Sequence, residues 1–207
     1  MKKEVVVLNC GSSSVKFAII DAETGDAGLS GIAENLGNSD ASLSYKIAGQ
    51  KKREQLPDNA SHTEALHAIQ HIIESTGVAP IAVGHRVVHG GEQFKHAARV
   101  TNDVLDAIEQ NASMAPLHNM ANLKGIITAQ AAYPALPHVA VFDTSFFQSM
   151  PQRAFIYALP MSLYREHGIR RYGFHGTSHK FILDSAARLL NKPVQDTSII
   201  SAHLGNG

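Results

Sequence analysis

The chain has 207 residues, enough for one large domain or for one domain and part of a second, and its 44% hydrophobic and 17% charged content excludes a long disordered tail. Eighteen Lys and Arg balance eighteen Asp and Glu without a basic run, so the electrostatic footprint of a nucleic-acid binder is missing and any phosphate site must be local. A single cysteine, Cys10, excludes an internal disulfide and makes the cytoplasm the default compartment, and the apolar run after Lys2 and Lys3 is too short for a signal-peptide core or a membrane span.

Residues 4–9, EVVVLN, are β-branched and almost continuously apolar, which predicts a central strand covered on both faces. GSSS at 11–14 supplies a turn and 15–21 a return strand, so the chain opens on a hairpin whose tip is rich in N–H and hydroxyl donors. ETGD at 23–26 turns the chain into a strand near 27–35. Residues 43–55 then predict two strands around Ala48 and Gly49, polar enough for a sheet edge. At 61–77 the period changes: Leu66, Ile69, Ile72 and Ile73 form one stripe, Ser61 caps the helix with Glu64 three residues on, and Gly77 stops it. His62, His67 and His71 of that helix read as solvated. Residues 81–91 return to strand and end in a glycine pair, aiming Arg86 and His89 at a strand end or loop.

Helices follow at 101–112, capped by Thr101 or Asn102, and at 118–134, stopped before Pro134, and then a short apolar strand at 138–145 that carries Asp143. Pro151 and Pro160 bracket a less regular stretch, which divides the chain into a first domain, 1–150, and the start of a second, 151–207. A helix is expected over 175–191 with Phe181, Ile182, Ala186 and Leu189 as its apolar stripe, and a strand from 196 running into a glycine-rich turn at 207. A sequence that stops at the tip of a turn reads as cut short, with its second domain truncated. Strands and helices in this order predict an α/β layered sheet.

Three groups of residues could carry chemistry. NCGSSSVK, Asn9 to Lys16, offers backbone N–H groups, three hydroxyls and a lysine to a phosphate, although its lysine lies on a strand and not at the start of a Walker helix; a serine-rich turn with a surface lysine is the plain alternative. HLGNG at 203–207 repeats the context of a strand followed by glycines, and two such turns suit a nucleotide lying in a cleft. Arg86, His118, Asp143 and His175 stand at strand ends, and an arginine fork matches a carboxylate bidentately, so Arg86 points to an acid substrate. Arg86 could equally pair with a structural carboxylate, Asp143 cap a helical turn, and either histidine serve the core. The twelve histidines raise the possibility of a zinc enzyme. His85 and His89, roughly 13 Å apart at about 3.3 Å per residue of strand, cannot share the metal. His175 and His179 could, but the glutamate of a zinc peptidase is missing after His175.

Taken together, NCGSSSVKF, GHRVVHGGEQF, APLHN, VFDTSF, RRYGFHGTSH and HLGNG, in this order, resemble the acetokinase family, that of acetate kinase, within the sugar kinase, actin and Hsp70 fold superfamily. The resemblance runs from Asn9 to Gly207 and implies a ribonuclease H-like layered mixed sheet and reversible phosphoryl transfer between ATP and acetate, giving acetyl phosphate and ADP. It implies Mg2+ or Mn2+ with ATP as co-substrate, and a cytoplasmic homodimer. On the same ground Asn9 lies near the magnesium, and Ser12, Lys16 and the turn of His203, Leu204, Gly205, Asn206 and Gly207 meet the ATP phosphates. Arg86 holds the substrate carboxylate with His118 beside it, Asp143 is an acid/base or metal-orienting residue, and His175 stabilises the transferring phosphoryl group.

Two residues depart from the family pattern: Met120, where a proline is usual, and Phe147, where a histidine is frequent. They bear on acyl-chain preference, leaving propionate or butyrate as alternative substrates. A non-catalytic nucleotide-binding module of the same fold is the alternative from another class, and Arg86, Asp143 and His175 count against it. The family's second domain supplies a further arginine, a magnesium-binding glutamate and the adenine pocket. The visible stretch alone is therefore expected to bind nucleotide weakly and turn over negligibly.

Overall fold

A computed structural model describes residues 2–205. The chain forms two compact units: the described residues up to Val87 with Ala98–Val141, and Val88–Ala97 with the residues from Phe142 onward.

The first unit is built on an eight-stranded mixed sheet in the order β5-β4-β3-β2-β1-β6-β8-β7. Strands β1 (Glu4–Cys10), β2 (Val15–Asp21), β3 (Ala27–Glu34), β4 (Ser42–Ile47) and β5 (Gln50–Gln55) form an antiparallel meander, and helix α1 (His62–Ser75) leads to β6 (Ala82–Val87), which pairs in parallel with β1. The short β7 (Ala98–Arg99), helices α2 (Asn102–Gln110) and α3 (Asn119–Ala132), and β8 (His138–Phe142) complete the order. The expected capping box is present: the Thr63 N–H donates to Ser61 Oγ at 3.1 Å and the Ser61 N–H to Glu64 Oε2 at 2.8 Å. Gly31 is required by close approach, since a Cβ there would come within 2.5 Å of the Ser44 carbonyl oxygen.

One face of the sheet is buried. Val6, Leu8, Val15, Phe17, Ile19 and Leu43 form one core with Leu66, Ile69 and Ile73 of α1. β1 lies in the middle of the sheet, as its composition implies, but it is not covered on both faces: Val7 is 39% exposed while Val6 and Leu8 are buried. The run VVV conceals a strand with one packed face, because continuous apolar residues do not report which face finds a partner. β5 is an edge strand exposed throughout, and Lys51, Lys52 and Arg53 guard its unpaired side against edge-to-edge association.

The second unit contains helices α4 (Gln152–Phe155), α5 (Met161–His167) and α6 (Gly176–Leu189). Phe94 and Phe142 stack with ring centroids 4.2 Å apart, and a Cβ on Gly90 would come within 2.6 Å of the Phe142 ring, which accounts for the first glycine of the pair. Arg170 lies 3.6 Å above the Phe155 ring and is paired with Glu92.

The stretch between Pro151 and Pro160 holds the single turn of α4 and leads into α5, which closes on Gly168 in the left-handed region at φ 64°. Two expectations are corrected in this unit. The strand expected from 196 is absent from the described residues: after a turn at Val194–Asp196 the chain to residue 205 is irregular and Ile200 is fully exposed. A β-rich composition makes a strand only beside a ladder partner, and none stands beside this segment among the described residues. The apolar stripe of α6 is not a core face, with Phe181 65% and Leu189 87% exposed; Gly176 and Ala187 are the buried residues of that helix. Among the described residues no helix is long and apolar enough to cross a membrane.

Candidate active site

In the first unit the functional candidates gather at the hairpin end of the sheet. Asn9 on β1 stands opposite Lys16 on β2, and directly opposed residues of an antiparallel pair share a face. Leu8 aligns with His85 in the parallel pair, so Arg86 falls beside Asn9, and its Nη1 donates to Asn9 Oδ1 at 3.3 Å. Lys16, Asn9 and Arg86 therefore form one row across three strands, spanning roughly 10 Å at about 4.8 Å per strand. Lys16 is exposed and the other two are half-buried, all on the face opposite the core.

The connection Gly11–Ser14 closes with the Gly11 N–H donating to the Ser14 carbonyl at 2.8 Å, and Ser12 and Ser13 are exposed at the tip. His118 precedes α3 as its exposed N-cap residue. Gly125 of that helix lies so close to Cys10 that a Cβ would come within 2.4 Å of Sγ, and Asn122 Nδ2 donates to the Cys10 carbonyl at 2.7 Å. Burial pushes the Cys10 thiol up to about 12, which leaves it a packing residue without nucleophilic character.

The second unit joins three other candidates. Asp143 is buried; its Oδ1 accepts a hydrogen bond from Thr177 Oγ1 at 2.9 Å, and its carbonyl accepts from the Gly176 N–H at 2.9 Å. His175, left-handed at φ 55°, is the N-cap of α6, so Asp143 is locked against the first turn of the helix that begins after His175. The His175 and His203 rings stack in parallel, 4.4 Å between centroids and 4° between planes, and His203 Nδ1 lies 3.0 Å from Ser178 Oγ. Leu204 is almost fully exposed, Gly205 is the last described residue, and Asn206 and Gly207 lie outside the described residues.

Sequence reasoning missed several residues that hold these groups. His62, read as solvated, is buried, and its Nε2 lies 2.7 Å from the Gly11 carbonyl oxygen. Its partner is 51 positions away, so no local pattern announces the contact. Thr144 Oγ1 accepts from the Gly90 N–H at 3.1 Å, and Thr177 holds the Asp143 carboxylate; here the only signal was the clustering of Thr after Asp143 and His175. His85 and His89 are both interior. His85 stacks on His138, whereas His89 packs edge-on against Tyr172 at 4.5 Å, and burial holds both histidines below the ordinary imidazole range.

Comparison with known proteins bears directly on this arrangement. The model of the acetokinase family matches residues 4–207. The chain belongs to the acetokinase family. An acetate kinase of Shewanella sp. strain MR-4 is 56% identical over 209 aligned residues, covering 99% of this chain and 52% of the relative. Among solved structures, acetate kinase of Porphyromonas gingivalis superposes with a TM-score of 0.90 at 40% identity, covering 99% of this chain and 53% of that one. A propionate kinase from Francisella tularensis gives 0.88 at 40% identity, over 92% of this chain and 50% of its own. The fold of this acetokinase-family chain is accordingly the mixed α/β arrangement of the actin-like proteins, and the chain spans about half the length of the relatives it matches.

Proposed function

We propose that the gene product carrying this chain transfers a phosphoryl group reversibly between ATP and acetate, forming acetyl phosphate and ADP. One observation carries the reading: in a chain 56% identical to an acetate kinase, a guanidinium suited to a carboxylate stands in the same strand row as a lysine and a donor-rich tip suited to phosphate. Acetate is ionised at neutral pH, so its oxygen attacks the γ-phosphorus without a strong base, and the γ-phosphorus–oxygen bond to ADP breaks as the new bond forms. Catalysis then reduces to alignment and to neutralising charge on the three equatorial oxygens.

Arg86 aligns the carboxylate, with His118 as a second contact. Ser12 and Lys16, with His203, Leu204, Gly205, Asn206 and Gly207, hold the nucleotide phosphates, and His175 neutralises the transferring group. The stacking of His203 on His175 supports a shared task for the two rings. The Asp143 carboxylate and the Asn9 amide oxygen are each donors of the kind that a hard cation, Mg2+ or Mn2+, takes beside substrate phosphates and water. Such a cation would neutralise phosphate charge. Asp143 would position it, its carboxylate rotation set by Thr177. Residues 1–150 then make up an actin-like ATPase domain and 151–207 the opening of its counterpart. The enzyme works as a homodimer in the cytoplasm.

The propionate kinase likeness supports a second reading, in which a longer acid is preferred. Phe147 bears on it: the ring lies beneath Gly173, whose added Cβ would come within 2.5 Å of it, and meets His179 edge-on at 6.1 Å. Trapping the acyl phosphate as a hydroxamate, with ATP and acetate, propionate or butyrate in turn, tests both readings. Acetate should give the highest kcat/KM. A preference for propionate selects the second reading, and no hydroxamate with any acid refutes both. Asp143→Asn should shift the magnesium dependence strongly, whereas an unchanged magnesium optimum with a displaced pH profile would mark Asp143 as a proton shuttle.

A further inference from the structure

The tip Gly11–Ser14 has an asymmetry that its sequence does not explain. Four carbonyl oxygens at the tip are engaged, three from other segments and one within the turn. Cys10 O accepts from Asn122 Nδ2 at 2.7 Å, and Gly11 O is 2.7 Å from His62 Nε2. Ser13 O accepts from the Leu36 N–H at 3.0 Å, and Ser14 O from the Gly11 N–H at 2.8 Å. A carbonyl can only accept, so the proton of the His62 ring sits on Nε2. No described residue accepts from the N–H groups of Ser12, Ser13 or Ser14. The tip's acceptors are taken by the protein while the N–H groups of Ser12, Ser13 and Ser14 are left without a described acceptor, which is the polarity an anion requires and a free-running turn does not guarantee.

The two side chains that impose this polarity are both buried, His62 at 7% and Asn122 at 3% exposure, and both reach the tip from distant segments, α1 and α3. Burial matters because a side chain packed on all sides cannot follow the tip if it moves. An unpaired carbonyl at Cys10 or Gly11 would be free to rotate outward, where it repels phosphate oxygens. Helix α1 begins at His62 itself, and the capping box at Ser61 and Glu64 fixes where the imidazole stands.

From this we infer that His62 and Asn122 are positioning residues for phosphate binding: they hold the hairpin tip in the donor-outward form that takes the terminal phosphates of a nucleotide or a free polyphosphate. The inference rests on the functional reading above for the nucleotide, and on geometry alone for the phosphate. Losing one such hydrogen bond to a carbonyl corresponds to about a tenfold change in affinity.

The test uses the 207-residue chain with inorganic pyrophosphate as the probe, followed through the amide resonances of Ser12, Ser13 and Ser14, with melting temperature measured alongside. In the native chain these three amides should shift together on titration. His62→Phe, which fills the space without donating, should weaken pyrophosphate about tenfold. His62→Gln, which returns an N–H donor to the place of Nε2, should restore binding to within about twofold. Asn122→Ala repeats the test from the other helix and serves where His62→Phe fails to fold. In the gene product, the same variants should raise the KM for ATP and leave the KM for acetate unchanged.

Equal pyrophosphate affinity in His62→Phe, Asn122→Ala and the native chain would overturn the inference, as would amides that do not respond to pyrophosphate. A loss of affinity in His62→Phe that His62→Gln does not restore would also count against it, since it would mark the ring as packing only. Intact, His62-dependent pyrophosphate binding in a gene product that makes no acyl phosphate would refute the functional reading and leave this inference standing.

Discussion

His85 and His138 form a buried imidazole pair whose protonation the fold resists, and the consequence is measurable. Their rings stack 5.2 Å apart, and His85 Nε2 lies 2.9 Å from His138 Nδ1. His138 Nε2 is 3.1 Å from the Tyr133 carbonyl oxygen, which can only accept, so neutral His138 carries its proton on Nε2 and offers Nδ1 as acceptor to the N–H of His85. Burial, reinforced by the neighbouring imidazole, pulls His85 down from 6.5 to about 3, and burial lowers His138 as well. Well above pH 6.5 both folded and unfolded states are neutral at His85, and its contribution to stability is indifferent to pH. As pH falls from 6.5 toward 3 the unfolded chain binds a proton that the folded chain refuses, and stability is lost. Between pH 7 and pH 5 His85 should therefore remove about 2 kcal/mol of unfolding free energy. Urea denaturation followed by circular dichroism at pH 7, 6 and 5 measures this directly. His85→Gln keeps a donor toward His138 and removes the titration, so its stability should fall less steeply over the same range, whatever its absolute value. Parallel slopes for His85→Gln and the native chain would refute the reasoning.

Tyr133 has a buried hydroxyl with no partner among the described residues, and burial together with the nearby charge of Glu74 pushes its ionisation up to about 12. Tyr133→Phe should leave stability unchanged or raise it by up to about 1 kcal/mol in the same urea experiment. Gly176→Ala would bring a Cβ within 2.2 Å of the Asp143 carbonyl oxygen and 2.8 Å of Phe146 Cβ. It should cost about 1–3 kcal/mol of stability and most of kcat, because it pushes α6 away from Asp143. Gly28→Ala, whose Cβ would meet nothing within 4 Å, is the matched control and should change stability by less than about 0.5 kcal/mol.

Local physics was sufficient for much of the first unit. The capping box at Ser61 and Glu64, the stripe of Leu66, Ile69, Ile72 and Ile73, and the hairpin around GSSS are short-range patterns, and each yields the expected element. The order of strand-end motifs was likewise sufficient to name the family, since their spacing survives in sequence whether or not each contact can be drawn. What failed depended on partners. The stripe of α6 and the apolar segment after 196 are written like core elements and lie exposed, because amphipathicity states what a segment can bury and not what arrives to cover it.

The sequence by itself thus determined most elements of the first unit and the hairpin tip, each carried by residues within a few positions of one another, and the family, carried by six short motifs in order. Only the tertiary structure decided that Arg86 stands beside Asn9 and Lys16, that Asp143 is tied to Thr177 and Gly176, and that His62 and Asn122 grip the tip. Those pairings join residues 33 to 112 positions apart. They arise from strand register and helix docking, where the free energy of a shared core, and not any local preference, selects the neighbours.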